Sequence, residues 1–512
     1  MESNQIGILL VIVIYLLGMI IIGAMFSKKN ETANDFYLGG RRLGPFVTAM
    51  SAEASDMSSY LLMGIPGLAY ISGIADAGWT AIGLAIGTYV NWLLVAKRIR
   101  VYTAVCKDSF TLPSFFSNRY RDNKNLLMLL ASLVIIIFFI PYTGSGFAAC
   151  GKLFSSLFGV DYTLAMVVSA IIIILYTALG GFLAASTTDF IQSIIMSVAL
   201  IVIFIFGIGA AGGMDAVIDN AKALPGYLSM SATHDMASGA SSPYGFLSIF
   251  STLAWGLGYF GMPHILLRFM AIEDEQKLKV SRRIASVWVV ISMAVAVFIG
   301  IIGYGMSKAG VIPMLEGASS ETVIVQISHY LSTHGFIFAV LAGIVLSGII
   351  ASTMSTADSQ LLAASSSVSE NIIGGFFGKE LDDKKRMIVA RSCLVIIALI
   401  GMFIARDPNS SVFGIVSFAW AGFGAAFGPV VLFALFWRRS NKYGALASML
   451  SGGVMVFVWK YLVRPLGGAF NIYELLPAFI VACVFMVVVS LVTEKPEKEI
   501  TDEFDEVQRL LK

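Results

Sequence analysis

Charge is scarce in this chain. Asp, Glu, Lys and Arg make up 13% of its 512 residues, against 57% hydrophobic ones. Soluble domains carry about a quarter charged residues, so a soluble globular protein is excluded. The formal net charge of +2 gives no bulk attraction to nucleic acid, and no nucleic-acid partner is expected. Cysteine is also sparse. Cys106, Cys150, Cys393 and Cys483 are scattered with no C-x-x-C pair, which leaves neither a disulfide framework nor a thiolate metal site. No G-x-x-x-x-G-K-[ST] loop occurs, so ATP would need a partner to drive this chain. No H-E-x-x-H occurs, and the four histidines form no metal motif. His264, next to Pro263, is expected to pack or cap. No nucleophile–base pair stands out, and the chain is not expected to be an enzyme.

What the chain has is long apolar runs. Thirteen candidate spans lie at about 6–26, 45–73, 78–96, 126–151, 162–183, 188–212, 244–266, 284–307, 336–366, 388–404, 411–437, 443–463 and 474–493. Runs of this length and hydropathy predict transmembrane helices. The first is not a cleaved signal peptide, because Met1-Glu-Ser-Asn4 lacks a positive leader and Lys28 and Lys29 follow the run. Of the 34 Lys and Arg residues, 28 fall in alternate segments: 27–44, 97–126, 267–283, 367–391, 437–442 and the C-terminal tail. That bias predicts an outside N-terminus and a cytoplasmic C-terminus. Residues 1–493 are expected to form a single transmembrane domain, and 494–512 a cytoplasmic tail. Segment 97–125 mixes basic residues with Phe110, Leu112, Phe115 and Phe116, and reads as interfacial. The tail puts Ile500, Phe504, Val507 and Leu511 on one helical face. It predicts either a helix on the membrane surface or a solvated tail. No obligate protein partner is inferred.

Several spans are interrupted by polar residues. Ser51-Ala-Glu-Ala-Ser-Asp-Met-Ser-Ser-Tyr60 lies inside an apolar run and carries Glu53, Asp56 and four serines. A charge at the bilayer centre costs about 2.5 kcal/mol or more, so such residues line a cavity or an ion path. In span 336–366, Ser352, Ser355, Thr356 and Ser359 form one stripe of oxygens. Such a stripe can simply bond its own helix or allow close packing; Asp358 and Gln360 in the same turn weigh against that. Ser186-Thr-Thr-Asp189 adds a carboxylate near a membrane boundary, as part of an ion path or as a helix cap. Ala254-Trp-Gly-Leu-Gly-Tyr-Phe-Gly-Met-Pro-His264 discourages a straight helix; its aromatics could instead form an interface belt. Gly422, Gly424 and Gly428 predict close helix packing.

The polar spans combine into one hypothesis. A sodium ion needs several hard oxygens, and discontinuous helices supply them from unwound carbonyls and neighbouring hydroxyls. The break near Asp56 can give carbonyls; Ser355 and Thr356 can give hydroxyls. The second and seventh spans, the two broken ones, are five apart. That spacing predicts inverted repeats of five helices at about 45–212 and 244–437, with the first and last two spans peripheral.

The chain resembles the sodium:solute symporter family, and in particular its bacterial sodium/proline members. The resemblance is carried by Asp35-Phe-Tyr-Leu-Gly-Gly-Arg-Arg-Leu-Gly-Pro45, Ala54-Ser-Asp-Met-Ser58, Leu61-Leu-Met-Gly-Ile-Pro-Gly67, Gly180-Gly-Phe-Leu-Ala184, Trp255 to Ile265, Met354-Ser-Thr356 and Ser417 to Pro429. It implies an all-α integral membrane fold, with about thirteen transmembrane helices around a five-plus-five inverted-repeat core. It implies sodium ligands at the Ala54, Met57 and Ser352 carbonyls and the Ser355 and Thr356 hydroxyls. It ties Asp56, Ser58, Arg41 and Asp189 to sodium coupling. It places substrate against Ser58, Tyr142, Trp255, Tyr259 and Pro263. The implied activity is sodium-driven proline uptake by alternating access in a bacterial cell membrane, with sodium as coupling ion and no other cofactor. The chain departs from the proline-carrying pattern at Glu53, at Ser59-Tyr60 (Gly-Trp in that pattern), at Ser352 and at Asp358. Another small amino acid or a monocarboxylate therefore stays open as the substrate. So does a proton as the driving ion, with Asp56, Glu53 or Asp358 titrating. A passive channel and a membrane sensor are the readings outside the transporter class.

Overall fold

The structure is a computed structural model that describes residues 3–27, 32–379 and 382–512. Lys28 and Lys29, counted above among the inside charges, lie outside the described residues. Helices dominate; a two-stranded hairpin pairing Ala232–Asp235 with Ala240–Pro243 is the sole sheet among the described residues. Among the described residues, ten helices are long and apolar enough to cross a membrane, which makes this a multi-pass membrane protein. Shorter apolar helices cover Tyr162–Ala178 and Phe246–Gly261. The segment from Pro45 to Ser72 is broken into pieces. The expected count of thirteen requires these three segments also to cross.

The two interrupted helices break where the sequence is least suited to a continuous rod. Pro45–Ser59 is distorted at Ser58, with φ 50° and ψ −169°. A π-type turn follows over Tyr60–Gly64, and helix resumes at Ile65–Ser72. A non-glycine residue in that region costs about 1–3 kcal/mol and persists only where surrounding contacts impose it. The other break runs from helix Phe246–Leu253 through a 3₁₀ stretch, Ala254–Gly261, to helix Pro263–Ala271. Glycines allow close approach here. A Cβ on Gly258 would lie 1.9 Å from Trp420 Nε1, and one on Gly261 would lie 2.2 Å from the Phe423 carbonyl. Helix Val412–Phe436 therefore packs directly on this stretch. The expected packing role of Gly422, Gly424 and Gly428 is met: a Cβ there would strike Phe138, Leu475 and Phe479.

Helix Phe336–Ser366 packs against Ser3–Ser27, Pro45–Ser59 and the run Tyr162–Ala210. That run is two helices meeting at Gly181, with φ 63°. The boundary expected at 183–188 therefore lies earlier, and Asp189 sits inside the second helix. It is fully buried, so the alternative of an interfacial cap is wrong. The alternative of an interface belt formed by Trp255, Tyr259 and Phe260 is also wrong, since all three are buried.

Two surface expectations change as well. Leu112, Phe115 and Phe116 are buried in protein instead of lying at an interface. The tail is neither a membrane-surface helix nor solvated. Helix Lys498–Leu510 docks Ile500, Phe504 and Val507 into the protein. Arg121 clamps it through Glu499 at 2.9 Å and Glu503 at 2.7 Å, and Arg438 holds Asp505 at 2.8 Å.

Candidate functional site

The break at Ser58 faces the serine stripe of Phe336–Ser366. Ser355 Oγ donates to the Ala54 carbonyl at 2.9 Å and to the Ser352 carbonyl at 3.2 Å. Thr356 Oγ1 donates to the same Ser352 carbonyl at 3.1 Å. Four of the five expected sodium ligands thus form one hydrogen-bonded knot between two helices. The fifth, the Met57 carbonyl, accepts from the Tyr60 N–H at the break. The donor set is all oxygen and uncharged, the chemistry a hard monovalent cation needs. Ser58 Oγ accepts from the Tyr60 N–H at 3.1 Å and so closes the turn.

Asp56 joins the two broken helices. Its carboxylate accepts from the Tyr259 hydroxyl at 2.5 Å, and its carbonyl accepts from the Tyr142 hydroxyl at 3.3 Å. Two small cavities flank Tyr142. The polar one is lined by Ser58, Ser59, Thr143, Ser145, Thr356 and Gln360, among others. The aromatic one is lined by Asp56, Met57, Tyr60, Trp255, Met293 and Trp420, among others. Each holds about 10 Å³, room for about one water. An aromatic stack closes one side. Trp255 lies parallel to Tyr473 at 5.0 Å between ring centroids and packs on Tyr60 at 5.3 Å. Trp420 Nε1 donates to the Trp255 carbonyl at 2.8 Å and fixes that turn.

The remaining expected residues are placed unequally. Pro263 begins the helix after the second break and is buried, but it lines neither cavity. Arg41 is apart from the knot, in the turn Gly39–Arg41. It bonds the Met270 carbonyl at 2.7 Å, Asp108 at 3.0 Å and the Ser109 carbonyl at 3.0 Å. Asp189 sits one layer below the knot in a second polar cluster. It accepts from Ser51 Oγ at 2.6 Å and pairs with Arg268 at 3.1 Å. Arg268 also reaches Ser359 Oγ at 2.5 Å, and Ser359 donates to Asp358 at 3.0 Å.

Sequence reading missed Arg268 and counted it among the loop charges. It is 1% exposed. Its signal was an arginine set among Leu266, Leu267, Phe269 and Met270, which leaves no room for a solvated face. Glu53 does not face water: it is buried and accepts from Trp92 Nε1 at 3.0 Å. The link between Thr143 Oγ1 and Gln360 at 3.0 Å was also missed. So was Lys152, 2.7 Å from a buried Glu321 that accepts backbone N–H groups from Val412 and Phe413. His264 is packed, with its ring 5.6 Å from Phe139.

Known proteins agree with this architecture. The family model for the sodium:solute symporter family matches residues 36–452. An osmoregulated proline transporter of Bacillus subtilis is 40% identical over 509 residues, 99% of each chain. A sodium/proline symporter of Haemophilus influenzae is 42% identical over 510 residues, 98% of each. Among solved structures, a Na+-coupled sialic acid symporter in a substrate-bound outward-open state superposes with a TM-score of 0.77. It is 17% identical and covers 96% of this chain and 99% of its own. At that identity the likeness establishes the fold, and the full-length relatives together with the family match establish kinship. The chain belongs to the sodium:solute symporter family.

Proposed function

We propose that the chain is a secondary active transporter that couples inward sodium movement to uptake of L-proline by alternating access. The family is one of transporters, and the chain is no enzyme. The observation that carries the reading is the knot of Ala54, Ser352, Ser355 and Thr356 oxygens at a broken helix, joined through Asp56 to cavities walled by Tyr142, Tyr259 and Trp255. The names of the relatives supply proline and sodium as the expected pair.

In this reading sodium takes the Ala54, Met57 and Ser352 carbonyls and the Ser355 and Thr356 hydroxyls. The solute meets Ser58, Tyr142, Trp255 and Tyr259, with Pro263 acting from behind the turn. Asp189 and Arg41 act at a distance. Asp189 holds Ser51 of the first broken helix to Arg268 of the second. Arg41 ties the start of the first to Met270 at the end of the second. Sodium bound at the knot stiffens the break that shapes the solute pocket, which is a positive coupling between the two sites. The repeats at about 45–212 and 244–437 then rock about the occupied centre, with thirteen crossings, the N-terminus outside and the C-terminus in the cytoplasm of a bacterial cell.

One sodium crossing ~100 mV releases about 2.3 kcal/mol. A tenfold gradient adds about 1.4 kcal/mol. Their sum supports accumulation of about 500-fold at one-to-one coupling. The test is uptake of labelled proline into proteoliposomes under an inward sodium gradient. Accumulation above equilibrium is expected. Uptake unchanged when choline replaces sodium would refute sodium coupling, and failure of proline to accumulate would refute the substrate.

A further inference from the structure

Three buried polar groups beside the helix break have no hydrogen-bond partner among the described residues: Ser59 Oγ, the Tyr60 hydroxyl and Gln360 Nε2. Buried polar groups in folded proteins are almost always partnered, and an unpartnered one requires an explanation. All three line the small cavities at the candidate solute site. Ser59 and Gln360 line the polar cavity, and Tyr60 lines the aromatic one. Tyr142 lines both and divides them.

The hydroxyl protons of the tyrosines around Tyr60 are already committed. The Tyr259 hydroxyl donates to the Asp56 carboxylate, the Tyr142 hydroxyl to the Asp56 carbonyl and the Tyr473 hydroxyl to the Ser417 carbonyl. The rings of Phe413 and Trp255 lie against Tyr60, and the Trp255 indole N–H makes no hydrogen bond to its hydroxyl. Its hydroxyl is therefore left for something that enters the cavity. Ser59 and Gln360 are two unspent donors on the other side of Tyr142. The polar cavity thus offers donors to the charged end of an amino acid and the aromatic cavity offers ring faces to its carbon ring, and a bound solute widens both beyond the volume of about one water that each holds here. A plain proline ring brings no polar atom to the aromatic side.

We infer that the preferred solute is a small cyclic amino acid with a hydroxyl on its ring, of the hydroxyproline type, and that Tyr60 is the residue that reads that hydroxyl. This rests on the reading of the pocket as the solute site of a sodium-driven carrier, with proline as the unsubstituted and weaker member of the class. A site that holds an unpaired hydroxyl for its substrate discriminates against the analogue lacking the matching group.

The test uses the full-length protein in proteoliposomes under an inward sodium gradient. Unlabelled proline and the 3- and 4-hydroxyprolines compete with labelled proline, and uptake of labelled 4-hydroxyproline is measured directly. At least one hydroxyproline is expected to exceed proline by about tenfold in kcat/KM. Tyr60→Phe keeps the ring and removes the hydroxyl, so it should shrink that ratio to about one, mainly through KM. Two results would overturn the inference alone: sodium-driven proline uptake in which no hydroxyproline outcompetes proline, or a preference that Tyr60→Phe leaves unchanged, as a resident water on Tyr60 would produce. Absence of sodium-driven uptake of any of these solutes would overturn the transport reading and this inference with it. If Tyr60→Phe does not fold, the order of competition on the unmodified protein decides.

Discussion

Replacing the two hydroxyls of the proposed sodium knot should weaken sodium by different amounts, and the order follows from their hydrogen bonds. Ser355 Oγ spans two helices, donating to the Ala54 carbonyl at 2.9 Å and the Ser352 carbonyl at 3.2 Å. Thr356 Oγ1 donates only to Ser352, four residues back in its own helix. In the bound state each hydroxyl oxygen faces the ion, an interaction with a charged group worth about 1.5–3 kcal/mol. Ser355→Ala removes that, but it also removes the interhelical bond of the free state, worth about 1 kcal/mol. The net loss is about 0.5–2 kcal/mol, or about 2–30-fold in sodium affinity. Thr356→Ala gives up only a bond within its helix, which contributes little. Its net loss is about 1.5–3 kcal/mol, or about 10–160-fold. The assay is the sodium concentration for half-maximal proline uptake in proteoliposomes, with maximal rates normalised to inserted protein. Half-maximal sodium within twofold of the parent in both variants would refute the ligand set. A larger effect from Ser355→Ala than from Thr356→Ala would refute the accounting of the free state.

Asp189→Ala leaves the buried Arg268 without its carboxylate. A loss of about 3–5 kcal/mol is expected, read as a lower unfolding temperature in detergent, and the double change with Arg268→Ala should cost less than the two singles summed. Gly258→Ala drives a methyl into Trp420 Nε1 at 1.9 Å and breaks its bond to the Trp255 carbonyl. Sodium-driven uptake should fall by about tenfold or more at normal membrane insertion, through overpacking of about 1–3 kcal/mol; unaltered uptake would show that this turn does not shape the pocket. Phe504→Ala removes a ring buried against Tyr102 at 6.3 Å. It should undock the tail at a local cost of about 3–5 kcal/mol and speed tryptic cleavage at Lys498 and Arg509; unchanged cleavage would mean that the Arg121 and Arg438 pairs hold the helix without it.

The membrane class and both helix breaks were legible in the sequence for one reason. The bilayer penalises polar residues and loose backbone, so Asp56 in an apolar run, or three glycines around Trp255, stand out against a uniform background. What could not be read was which buried groups meet. Asp189 and Arg268 are far apart in the chain, and each alone resembles a boundary charge. Only the turn at Gly181 and the docking of helix Pro263–Ala271 against Pro45–Ser59 bring them into one ion pair. The tail failed differently. Its apolar face was visible, but an amphipathic face does not say whether lipid or protein covers it. The answer lay in Arg121 and Arg438, whose partners Glu499, Glu503 and Asp505 sit on the helix flanks.

Asp56 shows why the uncharged ligand set proposed for sodium can still serve a coupled carrier. The knot beside it is made of carbonyls and hydroxyls, so it can bind and release a monovalent cation without the cost of stranding a naked carboxylate among the ligands. The charge is one position away, and it is shared with the other broken helix through Tyr259. The Asp56 carbonyl, between the Ala54 and Met57 carbonyls, is meanwhile held by Tyr142, the residue that divides the two cavities. An ion that reorients the Ala54 and Met57 carbonyls must therefore move the backbone on which Tyr142 and Tyr259 rest. A solute that presses on those tyrosines must in turn bias the same carbonyls. The two effects are one free energy seen from two sites, so whatever factor sodium adds to solute affinity, the solute adds to sodium.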